Sequence, residues 1–343
     1  MYVVRRRNFI TLEIQLERGP LRQPESICNP LLSMAIALTL AGVALIAAAV
    51  LDIFQTLFHP AGRGALSDWT ARIVWKIARK LASHRPAVLT FAGPLALLSI
   101  ITSWSVLTLL GFALIYLPRM AEYAFSPGIN PARPNGFWEA VDSSIGALIT
   151  LSQGMEPRTA WLGVIRGFEA IVGFGLLTAS VSWLLSIYPV LEARRSVAQR
   201  ASLLQHAELA HQIDMVRDCG ERADNWVIGL AADLSSLRNQ MAQFPITYYF
   251  HIGEPETSLA GALPYLSELA DRAVACSDPA MRLAGTALGG AVEDFVRLLA
   301  EIFLRMPSDD KQAVLRAYSR EHMSDMILLR HTVAYDRSER KAS

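Results

Sequence analysis

Charge is scarce in this sequence. Only 18% of its 343 residues are Asp, Glu, Lys or Arg, and the formal net charge is +1, whereas soluble domains carry about 25% charged residues. Such a balance offers no electrostatic footprint for nucleic acid. Cysteine is scarcer still. Cys28, Cys219 and Cys276 stand far apart and no CxxC occurs, which argues against both a disulfide framework and a zinc site. No GxGxxG follows a predicted strand, and no Ser-His-Asp, paired-carboxylate or phosphate-loop constellation is present. Neither an enzyme nor a resident cofactor is therefore expected. His206, Glu208 and His211 share one helical stretch. Their i, i+5 spacing turns the two imidazoles about 140° apart, unlike the i, i+4 pair of a zinc helix, so no metal is expected there.

What the sequence does have is apolar length. Hydrophobic residues make up 52% of the chain, and they gather between residues 31 and 190. This implies an all-α membrane protein with three transmembrane helices, a re-entrant pore helix and a C-terminal cytoplasmic helical bundle. Residues 1–30 read as a disordered or untranslated leader. Arg5, Arg6 and Arg7 stand well ahead of the apolar run with no small-residue cleavage site after it, which argues against a secretory signal, and Met34 is an alternative start. Residues 31–58 form the first span, uncharged until Asp52. That carboxylate reads either as interfacial and paired or as one that touches the pore helices. Residues 59–86 hold a helix capped by Ser67 or Asp68, with Trp69, Ile73, Ile77 and Leu81 along one side and Arg72, Lys76, Arg79 and Lys80 largely on the other. This is the signature of a basic amphipathic helix on the lipid surface; the alternative is a slide helix that couples cytoplasmic motion to the next span.

Residues 87–190 read as a pore module. An outer helix, Ala87 to Leu117, leads into a loop rich in Pro and Gly. Phe137 to Thr150 (FWEAVDSSIGALIT) is amphipathic but, at about 14 residues, too short for a bilayer that needs about 20. A polar turn over residues 150–157 comes next, and then a long apolar helix over 159–190. Polar backbone between a short helix and a spanning one reads as a re-entrant loop, tolerated at membrane depth where protein or water surrounds it. The stretch resembles the pore module of the two-transmembrane potassium channel family. The resemblance rests on Ala140 placed ten residues before Thr150, and on Thr150-Leu151-Ser152-Gln153-Gly154 in the slot of that family's Thr-Val-Gly-Tyr-Gly filter. It rests also on Glu156 and Pro157 behind that slot, and on Arg166-Gly167-Phe168-Glu169-Ala170 with Gly173 in the inner helix. It covers residues 137–188 directly, and 87–190 with the outer helix.

The resemblance implies a homotetramer in the lipid bilayer around a central pore that passes a monovalent cation, potassium in the family, with no cofactor. The carbonyls of Thr150, Leu151, Ser152 and Gln153 would line the constriction, next to Gly154. Glu156 would form a carboxylate ring that focuses cations at the outer mouth. Gly173 and Gly175 would serve as a gating hinge, or else as small residues for close helix packing. Arg166 and Glu169, at i, i+3, would form a structural ion pair behind the filter. The filter itself departs from the family. Ser152 and Gln153 fill a Gly and the Tyr slot, and backbone conformations that Gly takes freely cost other residues roughly 1–2 kcal/mol. Pore architecture is expected; potassium selectivity is not. The rival reading is a non-conducting, channel-derived sensor or scaffold whose C-terminal domain carries the function. Arg63, Arg72, Lys76, Arg79, Lys80 and Arg85 against Asp68 mark 59–86 as cytoplasmic, and Arg119 and Arg133 against Glu122 mark 119–136 as external. The C-terminus then lies in the cytoplasm of an inner-membrane protein.

Residues 191–343 read as a soluble helical domain. Helices are expected over 201–217 and 224–241, from Leu259, from Asp278-Pro279, and from Ser308-Asp309 to near His331. Residues 244–252 (FPITYYFHI) are β-prone yet have no partner strand, so they are expected to be an extended linker or an edge pairing between subunits. The domain is read as an assembly and regulatory module with an unidentified regulator.

Overall fold

Among the described residues, three helices are long and apolar enough to cross a membrane: Leu32–Leu57, Val88–Glu122 and Ala160–His211, whose most apolar stretches have mean hydropathies of 2.6, 2.0 and 1.9. The computed structural model describes residues 28–57, 64–82, 86–125, 136–151, 155–218, 223–251 and 257–322. Within them the chain runs α1 (Cys28–Leu57), α2 (Ala65–Ala82), α3 (Ala92–Tyr116), β1 (Tyr123–Phe125), α4 (Phe137–Leu148), β2 (Met155–Pro157) and α5 (Ala160–His211). It continues through α6 (Met215–Asp218), α7 (Ala223–Gln243), α8 (Leu259–Val274), α9 (Pro279–Leu298) and α10 (Lys311–His322). The all-α expectation is met except for two three-residue strands. The expected leader and the end of the last helix, near His331, lie outside the described residues.

Helix α1 carries an apolar surface. Leu32, Met34, Ile36, Leu40, Val43, Val50, Leu51 and Phe54 are all exposed, an apolar area that water would penalise. It packs on α3 where Gly42 meets Gly111. A Cβ at either position would run into the partner's carbonyl oxygen, so the two backbones approach as small residues allow in membranes.

The Asp52 carboxylate decides how α2 leaves α1. Asp52 is 5% exposed. It accepts hydrogen bonds from Leu66 N (2.8 Å), Ser67 N (3.2 Å), Ser67 Oγ (2.5 Å) and Trp104 Nε1 (2.8 Å). The first amides of a helix have no partner within it. Those of α2 are therefore capped by a residue of another helix, and not by Ser67 or Asp68 as the local sequence suggests. Asp68 instead pairs with Arg72 at 2.8 Å. Helix α2 then has two faces. Ala71, Trp75 and Ala78 are buried, while Trp69, Ile77 and Leu81 of the apolar stripe are exposed.

The C-terminal helices α7, α8 and α9 surround a core that includes Leu234, Leu237, Leu266, Leu288 and Phe295, each fully buried. Asp278 caps α9, accepting from Ala280 N and Met281 N, with Pro279 at the first helical position as its sequence implied. The tip of α5 is fastened to α8 by Arg272, which pairs with Glu208 (2.9 Å) and Asp214 (3.2 Å), while Tyr265 donates to Glu208 at 2.8 Å. The aromatic run expected to be extended is a 3-10 turn, Pro245–Tyr249, with Ile246, Thr247, Tyr248 and Tyr249 buried. Its rings pack on Trp75 of α2, so tertiary burial overrides β-propensity. One continuous apolar core thus runs from α2 and α3 into the C-terminal helices.

Replacing Asp52 by Ala leaves two amides, a hydroxyl and an indole without their acceptor. We expect a loss of about 2–4 kcal/mol, read as a shifted unfolding midpoint in detergent. Asp52→Asn, which keeps an acceptor, should cost clearly less.

Candidate functional site

Helix α4 is twelve residues long, about 18 Å at 1.5 Å per residue. It is wedged between α3 and α5. The chain segments on its two sides are stitched together: β1 pairs antiparallel with β2, Tyr123 opposite Pro157, Ala124 opposite Glu156, and Phe125 opposite Met155. Arg158 N donates to the Glu122 carbonyl (2.9 Å), and Thr159 Oγ1 donates to the Glu122 carboxylate (3.1 Å). The chain therefore leaves this point after residue 125 and is back beside it at residue 155. Next to the strap, the Arg119 guanidinium lies over the Trp161 ring, 5.3 Å from its centroid.

Two features seat α4. The first is Glu169 of α5, fully buried. Its carboxylate accepts from Tyr116 Oη of α3 at 2.6 Å and from Ser144 Oγ of α4. Ser144 Oγ also lies 3.0 Å from the Leu109 carbonyl. The expected ion pair with Arg166 does not form: Arg166 donates to the Met155 carbonyl at 2.6 Å and so holds β2. A buried carboxylate needs donors more than it needs a flexible surface partner, and two neighbouring helices supply them. The second feature is Gly173. A Cβ there would overlap the Leu148 carbonyl oxygen, so Gly173 is the contact through which α5 touches the end of α4. Gly175 has nothing within 4 Å of its would-be Cβ. Of the two glycines read as a hinge, one is a packing contact and the other faces open space.

The end of α4 is closed by a Schellman motif. Thr150 N donates to Ala147 O (3.1 Å) and Leu151 N to Gly146 O (2.7 Å), with Thr150 left-handed at φ 59°. Gly normally occupies that place, and a β-branched residue there is strained. Leu151 is exposed, as is Glu156 within β2. Ser152, Gln153 and Gly154 lie outside the described residues.

Sequence reasoning missed Tyr116 and Ser144, whose only signal was a polar group on an otherwise apolar face. It also missed Pro189. This residue stands inside α5, where a missing N–H leaves the Leu185 carbonyl without its helical partner. His206 and His211 are exposed, and no group of three or more metal-ligating side chains occurs among the described residues.

The chain is similar to a membrane protein. The relative is the uncharacterized membrane protein YdjJ of Bacillus subtilis (strain 168), 26% identical over 233 residues, which are 67% of either chain. No family model matches, and no solved structure matches. The three long apolar helices and this relative together support a membrane location.

Gly173→Ala should force α4 and α5 apart, costing about 1–3 kcal/mol, whereas Gly175→Ala should gain up to about 1 kcal/mol from helix propensity. Unfolding midpoints of the two variants in detergent check this opposition. Thr150→Gly should gain about 1–2 kcal/mol by relieving the left-handed strain, measured in the same way.

Proposed function

We propose that this chain forms a passive cation-conducting pore of the pore-loop type, assembled as a homotetramer in the inner membrane with its C-terminal helices in the cytoplasm. The observation that carries this reading is the return of the chain to its starting point: β1 and β2 tie the two ends of the segment around α4 together, and α4 is too short to span. In this reading α4 dips into the lipid layer from the outer side and the backbone after Thr150 comes back out, sheltered by α3, α5 and sister copies.

Three further features support this reading, the first two of them a cation. The C-terminal end of α4 carries the negative end of the helix dipole, about half an elementary charge, and it points the developing path toward Thr150 and Leu151. Glu156 lies exposed on the strap directly after the constriction, where four copies would make an acidic ring. The outward face of α5 is a stripe of Val164, Phe168, Ile171, Phe174, Leu177, Val181 and Leu185, all exposed in the single chain. Lipid, a central cavity or neighbouring subunits would cover it. The resemblance to two-transmembrane potassium channels supplies the tetramer and the ion class, while Ser152 and Gln153 take selectivity for potassium out of the proposal.

One observation favours the rival of a non-conducting sensor or scaffold. Thr150 closes α4 with its own hydrogen-bonded cap, a self-sufficient ending that a structural plug would share. Flux separates the two. Purified protein in liposomes should pass potassium or sodium down a gradient, and Glu156→Gln should lower single-channel cation conductance several-fold at low salt, where screening is weak. Vesicles that stay tight to both ions would leave the scaffold reading. Conduction unchanged by Glu156→Gln would remove the acidic ring.

A further inference from the structure

His322, the last described residue of α10, is held in a box of rings where α2 meets the C-terminal helices. The Trp75 ring of α2 lies 5.2 Å from it, that of Tyr248 in the 3-10 turn 4.6 Å, and that of Tyr318 in α10 4.6 Å. Tyr248 is itself stacked on Phe303 at 4.2 Å. The imidazole is 3% exposed, and neither of its nitrogens has a hydrogen-bond partner among the described residues; Trp75 Nε1 and Tyr318 Oη are likewise unpartnered there. Buried polar atoms are paired in the great majority of cases, and this cluster of orphans gathers around one titratable ring. The neighbouring residue, Glu321, is the tie between the two halves. It pairs with Arg79 of α2 at 2.6 Å and accepts from Tyr248 Oη at 2.5 Å.

We propose that the His322 box is a proton-operated latch: a proton taken up by the imidazole drives it out of the rings and releases α10 from α2.

The charges around the box make an imidazolium costly. Arg79 faces it from α2, Arg194 from α5, and His251 from the segment after the 3-10 turn. Arg194 gives its donors to the carbonyls of Thr247 and Phe250, both at 2.6 Å, and these neutral acceptors leave its charge in place. Glu321 on α10 is the neighbouring acid, and it is already engaged by Arg79 and Tyr248. Tyr248, Tyr249 and Tyr318 complete the titratable neighbours, and burial keeps all three protonated. Burial, together with Arg194, His251 and Arg79, pushes the proton affinity of His322 well below the ordinary histidine range. The released ring titrates normally, near 6.5. A group with a depressed docked value holds the dock above its free value and loses that contribution as pH falls through it. Between pH 7.5 and 5.5 the docking equilibrium therefore weakens by about tenfold. The latch joins a lipid-side helix to the C-terminal helices whether or not the protein conducts ions, so it stands apart from the pore reading.

The test uses the full chain in lipid nanodiscs. Hydrogen exchange over residues 311–322, corrected for the intrinsic pH dependence of exchange, should show protection falling about tenfold from pH 7.5 to 5.5. His322→Phe should remove that step. Glu321→Gln should lower protection at both pH values and keep the step. In histidine-labelled wild-type protein, the ring carbon resonance of His322 is followed against that of a free histidine peptide in the same buffer, which titrates near 6.5. His322 should stay neutral until α10 opens. A His322 resonance that titrates alongside the free peptide while α10 remains protected would overturn the latch, as would a step of unchanged size in His322→Phe. The resonance measurement needs no variant, so it decides the matter even if His322→Phe does not fold.

Discussion

The membrane half of this protein depends on one carboxylate kept away from water. Glu169 lies on α5 without an ion-pair partner among the described residues, and a charge or acid in that position is tolerable only if its oxygens are satisfied. Tyr116 from α3 and Ser144 from α4 satisfy them. The three helices are thereby fixed at one point in a medium where apolar contact gives little preference for one partner over another. Gly173 then sets how close α5 may come to the end of α4, and the β1–β2 strap brings the chain after α4 back beside the end of α3. Arg166, freed from Glu169, serves that strap through the Met155 carbonyl.

A second carboxylate plays the corresponding part near the end of α1. Asp52 gathers the start of α2 and the indole of Trp104, and Trp104 lies 5.5 Å from Trp183 of α5. Helices α1, α2, α3 and α5 are thus connected at one level. From there the core continues without a break through Trp75 and the tyrosines of the 3-10 turn into the C-terminal helices.

Much of this was legible in the sequence where the controlling physics is local. The length of α4, the apolar stripe of α2 and the Asp278-Pro279 start of α9 come from periodicity and capping chemistry over a few residues. The illegible parts came from partners far apart along the chain. A cap delivered from fourteen residues upstream has no local signature, so Asp52 read as an interfacial, paired carboxylate or as one that touches the pore helices. Arg166 and Glu169 carry the spacing of a surface pair, and only the donors on α3 and α4 reveal that burial decides otherwise. Residues 244–250 have the composition of a strand, but a strand needs a neighbour, and the rings found a core first. Gly173 and Gly175 are equivalent as letters; their difference lies entirely in what stands opposite.

Helix α5 is a single 52-residue element that continues past Pro189 to the ion pairs at its tip. Its weakest backbone point is that proline, where one carbonyl has lost its amide. The 22 residues beyond it form a lever arm of about 33 Å, so a 10° swing about this pivot would carry the tip through about 6 Å. A displacement of that size would have to move α8 with it, because Arg272 bolts the arm to that helix.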